Sequence, residues 1–251
     1  MAGINVFREK LQQLSARSLL RTLAPLESAT GASIQYEGRE VTLLSSNDYL
    51  GLSNHPEVVR AAITATERYG VGSGASRLIS GTMPPHTQLE AALARFKGTE
   101  AALLFGAGYV ANLGIIPTLI GSGGLILADR LCHASMIDAS RLSQADFRVF
   151  RHGDCNHVES LLRRRTTDRP TLIITEGVFS MDGDLAPLPD LVSLAERYEA
   201  TVYVDDAHGT GIMGATGRGT VEHFGLERRI PFHMGTLSKA LGSHGAFLVG
   251  P

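Results

Sequence analysis

Cysteine is scarce in this chain: Cys132 and Cys155 are the only two among 251 residues. Two thiols are too few for a disulfide framework, so a reduced, cytoplasmic setting is expected. An excess of one charge is lacking as well. The formal net charge is −2, and Arg163-Arg164-Arg165 is the one basic cluster. That triplet closes an amphipathic helical pattern, where cations complement the C-terminal dipole, so nucleic-acid binding gains no support. No stretch approaches the roughly 18–20 apolar residues of a membrane span. Residues 1–10 contain no apolar signal core. Internal repeats and low-complexity segments are missing too. What is present is an ordinary globular composition, 43% hydrophobic and 19% charged. The length suits one large domain or two small ones.

Along the chain, residues 6–23 place Leu11, Leu14, Leu19, Leu20 and Leu23 at helical spacing and predict a lead-in helix. A short extended section at 33–36 and 41–44 turns at Glu37-Gly38, and Ser45-Ser-Asn-Asp-Tyr-Leu-Gly51 reads as a polar loop. Helices are expected at 56–69 and 85–96, each entered at a proline that suits a first helical turn. From Glu100 onward, apolar runs alternate with helical patterns. Strands are expected at 101–105, 124–128, 147–150, 171–175, 201–204, 232–235 and 246–249, with helical stretches at 109–120, 155–164 and 188–198. Such alternation implies an α/β fold, a mostly parallel sheet flanked by helices. Ligands in these sheets sit beyond the carboxyl ends of the strands, where Glu176, Asp205 and the turn after Phe105 gather. The expected division is 1–45, a helix with a short extended segment, and 46–251, a large domain.

Lys239 stands out among the chemistry-bearing residues. It lies in Gly235-Thr-Leu-Ser-Lys-Ala-Leu-Gly-Ser-His-Gly245, between glycine-bearing turns that can hold an amine rigidly and partly desolvated. That setting favours Schiff-base chemistry over a surface charge. Upstream, Thr201-Val-Tyr-Val-Asp-Asp-Ala-His208 ends a buried strand in a carboxylate and an imidazole. A carboxylate at Asp205 can hold a ring nitrogen protonated; the plain alternative is a cap for the next turn. His208 can donate to a phenolic oxygen or serve as a hydrogen-bonded structural histidine. His133, after the strand ending at Asp129, can stack on a planar ring. Ser180, in the polar loop Thr175-Glu-Gly-Val-Phe-Ser-Met-Asp-Gly-Asp184, can reach a ligand, whereas Asp182 and Asp184 suit a turn. Gly70-Val-Gly-Ser-Gly-Ala-Ser-Arg77 offers either a substrate contact or a flexible bend. Spacings among Cys132, His133, His152, Cys155 and His157 match no compact zinc pattern, so no metal is expected.

Leu103-Leu-Phe-Gly-Ala-Gly-Tyr-Val-Ala-Asn112 reads as strand, glycine turn and helix start, which makes a phosphate site. The same string fits a loose G-x-G-x-x-A dinucleotide fingerprint. Asp129 falls about 20 residues on, where that fingerprint places a ribose-binding acid. A dinucleotide-binding oxidoreductase is therefore the rival reading, although it leaves Asp205, His208 and Lys239 without a task.

Taken together, Asn47-Asp-Tyr-Leu-Gly-Leu52, Gly72-Ser-Gly-Ala-Ser-Arg77, His133-Ala-Ser135, Glu176-Gly-Val-Phe-Ser-Met-Asp-Gly-Asp184, Asp205-Asp-Ala-His-Gly-Thr-Gly211 and Thr236-Leu-Ser-Lys239 resemble the α-oxoamine synthases. The match runs in order through nearly the whole chain. It implies the aspartate-aminotransferase-like fold of pyridoxal-phosphate enzymes, fold type I, and a decarboxylative condensation of an amino acid with an acyl thioester. Ser76-Arg-Leu-Ile-Ser-Gly-Thr-Met-Pro-Pro-His86 leans toward the branch that joins L-alanine to a pimeloyl thioester in biotin synthesis. The branch that joins glycine to an acetyl thioester is the near competitor. By resemblance, Lys239 carries pyridoxal 5′-phosphate and later takes the α-proton, and Asp205 pairs with the ring nitrogen. His208 and Ser180 address the phenolic oxygen. Gly108, Tyr109 and Thr236 hold the phosphate, and His133 stacks on the ring and contributes to catalysis. Arg21 and Asn47, with His133, face the substrates. A homodimer is implied as well. Family members run on for another 100–150 residues, on the order of a further domain, so a C-terminal small domain is expected to be missing and activity of the chain as written is in question. An inactive fragment that keeps the fold is the third reading.

Overall fold

The computed structural model describes residues 2–166 and 168–251. Two compact units, Met1–Ser45 and Ser46–Pro251, divide the chain. The first holds helix α1 (Ala2–Ala16) and the antiparallel strands β1 (Ser33–Tyr36) and β2 (Arg39–Thr42). The lead-in helix stops at Ala16, short of the expected residue 23. Ser18 adopts a left-handed conformation with φ of 53°. Ser18 N–H then donates to Ser15 O at 3.0 Å and Leu19 N–H to Leu14 O at 2.8 Å, the paired bonds of a Schellman stop. The leucine spacing continued past 16, but the backbone did not. Glu37 and Gly38, with φ of 49° and 69°, make a two-residue turn between β1 and β2. That tight turn starts β2 at Arg39, two residues earlier than expected.

The second unit is built on a seven-stranded sheet of β3 (Ala101–Phe105), β4 (Leu125–Asp129), β5 (Asp146–Phe150), β6 (Thr171–Glu176), β7 (Thr201–Asp205), β8 (Phe232–Thr236) and β9 (Ala246–Gly250). Their spatial order is β3-β9-β8-β7-β6-β4-β5. Each lies within one residue of its expected bounds. Pairs from β5 through β8 are parallel, whereas β9 runs antiparallel to both β3 and β8. The cause is local. A parallel return needs a crossover of a dozen or more residues. Only residues 237–245 separate β8 from β9, so the chain must double back.

Helices α2 (Pro56–Tyr69), α3 (Pro84–Lys97), α4 (Gly108–Leu119), α5 (Ala134–Leu142), α6 (Cys155–Arg163), α7 (Leu188–Arg197) and the single turn α8 (Thr220–His223) complete the unit. The expected pattern did not include α5 or α8. The core divides between the two faces of the sheet. Leu127, Ile173, Val202 and Val204 pack with Val158 and Leu162 of α6 and Leu191 of α7. Ile126, Ile174 and Tyr203 pack with Ile115 and Ile116 of α4 and Met136 of α5. With both faces covered, every residue of β4 and β6 is buried, which is why their centres, 125–128 and 172–174, read as apolar runs.

Candidate active site

Because β4, β6, β7 and β8 are parallel, their carboxyl ends share one edge, and Asp129, Glu176, Asp205 and Thr236 are the last residues of those strands. A cavity of about 180 Å³ opens there. It is lined by Gly108, Tyr109, His133, Ser135, Glu176, Asp205, Ala207, His208, Met234, Thr236, Ser238 and Lys239. Seven residues expected at a site (Gly108, Tyr109, His133, Asp205, His208, Thr236 and Lys239) therefore meet in one place. Ser180 lies exposed on the loop after β6 and is not among the lining residues. Asn47 is exposed, is not among the lining residues and accepts from Tyr49 Oη. Arg21 belongs to the N-terminal unit and is exposed.

Lys239 sits in the turn that returns the chain from β8 to β9. Gly242 N–H donates to Lys239 O at 2.9 Å and Ser243 N–H to Leu237 O at 2.8 Å, which closes the loop. Gly242 has φ of 60°, and a Cβ there would lie 2.3 Å from Ser53 N, so only glycine lets the backbone at 52–53 approach. The Lys239 amine stands 2.7 Å from His208 Nε2. Burial pushes that amine below the usual lysine range, and Asp205 and Glu176 partly offset the shift. Burial likewise lowers His208 to about 4, helped by Lys239 and His133, so the imidazole is neutral near pH 7.

Asp205 is held by a buried network. Asn112 Nδ2 donates to Asp205 Oδ2 at 2.8 Å and to Ser135 Oγ at 2.9 Å, and Ala207 N–H donates to Asp205 Oδ1 at 3.1 Å. Tyr203 Oη donates to Asn112 Oδ1 at 2.7 Å, which fixes the amide's orientation. Ser135 Oγ lies 2.7 Å from His133 Nδ1, and that nitrogen also accepts from Ser135 N–H at the start of α5. Burial raises Asp205 above the carboxylate range, while Asn112, Lys239 and the Ala207 N–H pull it back. A carboxylate in that position is matched to a cationic N–H partner. Its neighbour Glu176 is pushed up to about 7, first by burial and then by Asp205, its register partner on β7.

The turn that follows β7 is anchored from below. Lys97 and Asp206 form a fully buried pair at 3.5 Å. Lys97 also donates to Thr210 Oγ1 at 3.1 Å and to Arg218 O, while Thr220 Oγ1 donates to Asp206 at 2.7 Å. Burial works against the charge on both partners, and their mutual attraction and these hydrogen bonds sustain it. Also lining the cavity, α4 begins at Gly108 with no side chain capping its N-terminus. Its free N–H groups and dipole suit an anion. Thr236 Oγ1 and Ser238 Oγ, 2.8 Å apart, add hydroxyls nearby. The cavity thus offers an anion end, a carboxylate for a cationic nitrogen, an imidazole and a desolvated amine.

The other sequence candidates resolve differently. Asp129 is 1% exposed and spent internally: it accepts from Leu131 N–H, Gly153 N–H and His152. It cannot reach a ribose, so the dinucleotide reading loses its acid. Asp184 is not merely a turn former, because it closes on His152 Nε2 at 2.8 Å. Cys132 is buried with its Sγ directed to Ile174 O, and His157 Nδ1 accepts from Arg151 N–H. Among the described residues, no group of three or more His, Cys, Asp or Glu is placed to hold a metal ion. No helix among them is long and apolar enough to cross a membrane. Arg77, in the glycine-rich segment, pairs with Glu90 at 2.6 Å. Sequence reasoning missed Asn112, Ser135 and Tyr49 as parts of the site, and assigned no role to Glu176.

Comparison with known proteins adds to the geometry. The family model described as aminotransferase class I and II matches residues 39–251. The chain is 55% identical over 239 residues to 8-amino-7-oxononanoate synthase of Geobacter sulfurreducens, covering 95% of this chain and 61% of the relative. It is 50% identical over 248 residues to the protein of that name from Alkaliphilus metalliredigens, covering 98% and 63%. A solved serine palmitoyltransferase from S. paucimobilis with a bound PLP–myriocin aldimine superposes with a TM-score of 0.92 at 35% identity, over 99% of this chain and 63% of that one. The chain spans somewhat over 60% of the length of these curated relatives.

Proposed function

Because the chain belongs to the aminotransferase class I and II family and carries the pyridoxal-phosphate-dependent transferase fold, we propose that its cavity holds pyridoxal 5′-phosphate. The single observation that carries this reading is the convergence of Lys239, Asp205 and the uncapped start of α4 on one cavity. Asp205 would hold the ring nitrogen, His133 the ring face and His208 the phenolic oxygen, with Ser180 at its surroundings. Gly108, Tyr109 and Thr236 would hold the phosphate. When bound, the cofactor supplies an aldehyde carbon for a primary amine and a protonated ring that draws in an electron pair from a substrate carbon.

The rest of the chemistry belongs to the chain. Lys239, desolvated and turned below the usual lysine range, holds its amine neutral more readily than a surface lysine. Its amine would therefore hold the cofactor and, once free, would accept a proton from an amino-acid α-carbon. Asn112 and the Ala207 N–H keep Asp205 oriented, so ring-nitrogen pairing needs no rearrangement. Arg21 and Asn47 are proposed substrate contacts.

The activity we propose is decarboxylative condensation of L-alanine with pimeloyl-CoA or pimeloyl-acyl-carrier protein. The products would be 8-amino-7-oxononanoate, the released thiol carrier and carbon dioxide, a step of biotin synthesis. Support comes from relatives about half identical over nearly the whole chain. A homodimer fits the exposure of Val71 (97%), Leu78 (94%) and Ile79 (84%) on one segment. Cytoplasmic location fits the two free thiols. The test is to mix the purified chain with pyridoxal phosphate, reduce with borohydride and map the adduct. The expected mark is on Lys239 and disappears in Lys239→Ala; an unmarked Lys239 would overturn the cofactor reading. Product analysis with alanine plus pimeloyl thioester, and separately with glycine plus acetyl thioester, then assigns the substrates.

A further inference from the structure

Tyr49 has no part in the reading above, yet it touches the site directly. Its phenol oxygen lies 2.7 Å from His208 Nδ1, on the far side of the imidazole from Lys239. The rings do not stack: their centroids are 6.1 Å apart and tilted by 50°. The hydrogen bond is therefore what joins them. Tyr49 Oη also donates to Asn47 Oδ1 at 3.1 Å. A phenol has one proton. With that proton directed to Asn47, the oxygen accepts from His208, and Nδ1 carries the imidazole proton. Nε2 is then bare and faces the Lys239 amine at 2.7 Å. Every donor in the row points outward: Lys239 to His208, His208 to Tyr49, Tyr49 to Asn47.

The backbone under Tyr49 is held firmly enough for this to matter. Asp48 Oδ1 accepts from Leu52 N–H at 3.0 Å, Asp48 Oδ2 accepts from Ser53 Oγ at 2.6 Å, and Gly51 N–H returns to Asp48 O at 3.0 Å. The same turn presses its 52–53 backbone against Gly242 of the lysine loop.

We infer that Tyr49 is a positioning residue that selects the Nδ1–H tautomer of His208 and so presents Nε2 to Lys239 as a hydrogen-bond acceptor. Free imidazole has no such constraint, and which nitrogen holds the proton is set by the partner of the other. A hydroxyl suits this task better than a carbonyl or an amine would, because it can accept or donate. The half-exposed Tyr49 hydroxyl can turn over and donate to Nδ1, which frees His208 to donate from Nε2 into the cavity. The inference rests on the proposed function for its purpose, since a phenolic oxygen requires a donor at Nε2, which His208 offers only after the Tyr49 hydroxyl turns. Its geometry stands without the cofactor.

The test uses the cofactor-free chain with ¹⁵N-labelled histidine, and the two ring nitrogens of His208 are read by NMR. The chain has nine histidines, and His208→Gln assigns the signal by its loss. The parent is expected to carry the proton on Nδ1. Tyr49→Phe keeps the ring and removes the oxygen, so the proton is expected to move to Nε2. Asn47→Ala releases the Tyr49 proton and is expected to shift the balance the same way, which covers the case of a misfolded Phe variant. The Lys239 amine faces His208, Asp205, Glu176 and His133. An Nε2–H beside it disfavours the ammonium, so its pH midpoint for labelling by an amine-reactive probe is expected to move down in Tyr49→Phe. An unchanged tautomer in both folded variants would overturn the inference. A shifted tautomer with no borohydride mark on Lys239 would leave the inference standing and reject the cofactor reading instead.

Discussion

Glu176 and Asp205 end neighbouring strands as register partners, and both are buried. Two carboxyls so placed resist ionising together, and burial and Asp205 hold Glu176 at about 7 against an unperturbed 4.5. A value raised on folding means that the folded state keeps a proton which the unfolded chain releases. Glu176 therefore favours folding below about pH 4.5, and that contribution is lost as pH rises through about 7. Glu176→Gln, which never ionises, is expected to exceed the parent in stability at pH 8 by about 2–3 kcal/mol. The gain should fade toward pH 4.5, and urea unfolding at both pH values checks it; an equal gain at both would count against the shift. At this scale the sequence disclosed the residues whose chemistry is conspicuous in a short string, such as Lys239, Asp205 and His208. It could not disclose Asn112, because that amide meets Asp205 across 93 positions of chain. Nor did anything in the string containing Tyr49 point toward His208, 159 positions away.

The loop between β8 and β9 is the element on which the site depends. It is too short for a crossover, so it both reverses β9 and lifts Lys239 over the sheet edge. Gly242→Ala would place a methyl against the backbone of Leu52 and Ser53 at a positive φ. We expect a loss of roughly 1–3 kcal/mol, read by thermal unfolding, together with slower labelling of Lys239. Unchanged values for both would show that the loop can give way. The central strands β4 and β6 were legible as elements because burial on both faces demands apolar centres. Helix ends were less so. The leucines of the first helix continue their spacing to residue 23, yet Ser18 ends it through backbone conformation, which side-chain periodicity does not report. Helix α5 escaped notice because its first turn is made by His133 acting as a cap, a role visible only once Ser135 N–H reaches its ring.

At the scale of the whole molecule, the second unit leaves apolar surface exposed. Helix α2 buries none of its residues, and Val71, Leu78 and Ile79 follow it almost fully exposed. Patches of this kind mark association surfaces. If this surface carries the proposed homodimer, replacing Val71, Leu78 and Ile79 together with serine is expected to lower the sedimentation coefficient to that of a single chain without loss of folding; an unchanged coefficient would count against this surface as a dimer contact. The sequence by itself determined the alternation of strand and helix, the sheet edge that carries the cavity and the identity of the amine and carboxylate there. These are local properties, written in runs of a few residues. Only the tertiary structure decided which groups hold them: Asn112 under Asp205, Lys97 under the turn carrying His208, and Tyr49 against its imidazole. It also occupied the carboxylate of Asp129, at that same edge, by burying it between His152 and two backbone amides. The reason is physical. A hydrogen bond between distant residues depends on the register and packing of the sheet that brings them together, and no short stretch of chain contains that information.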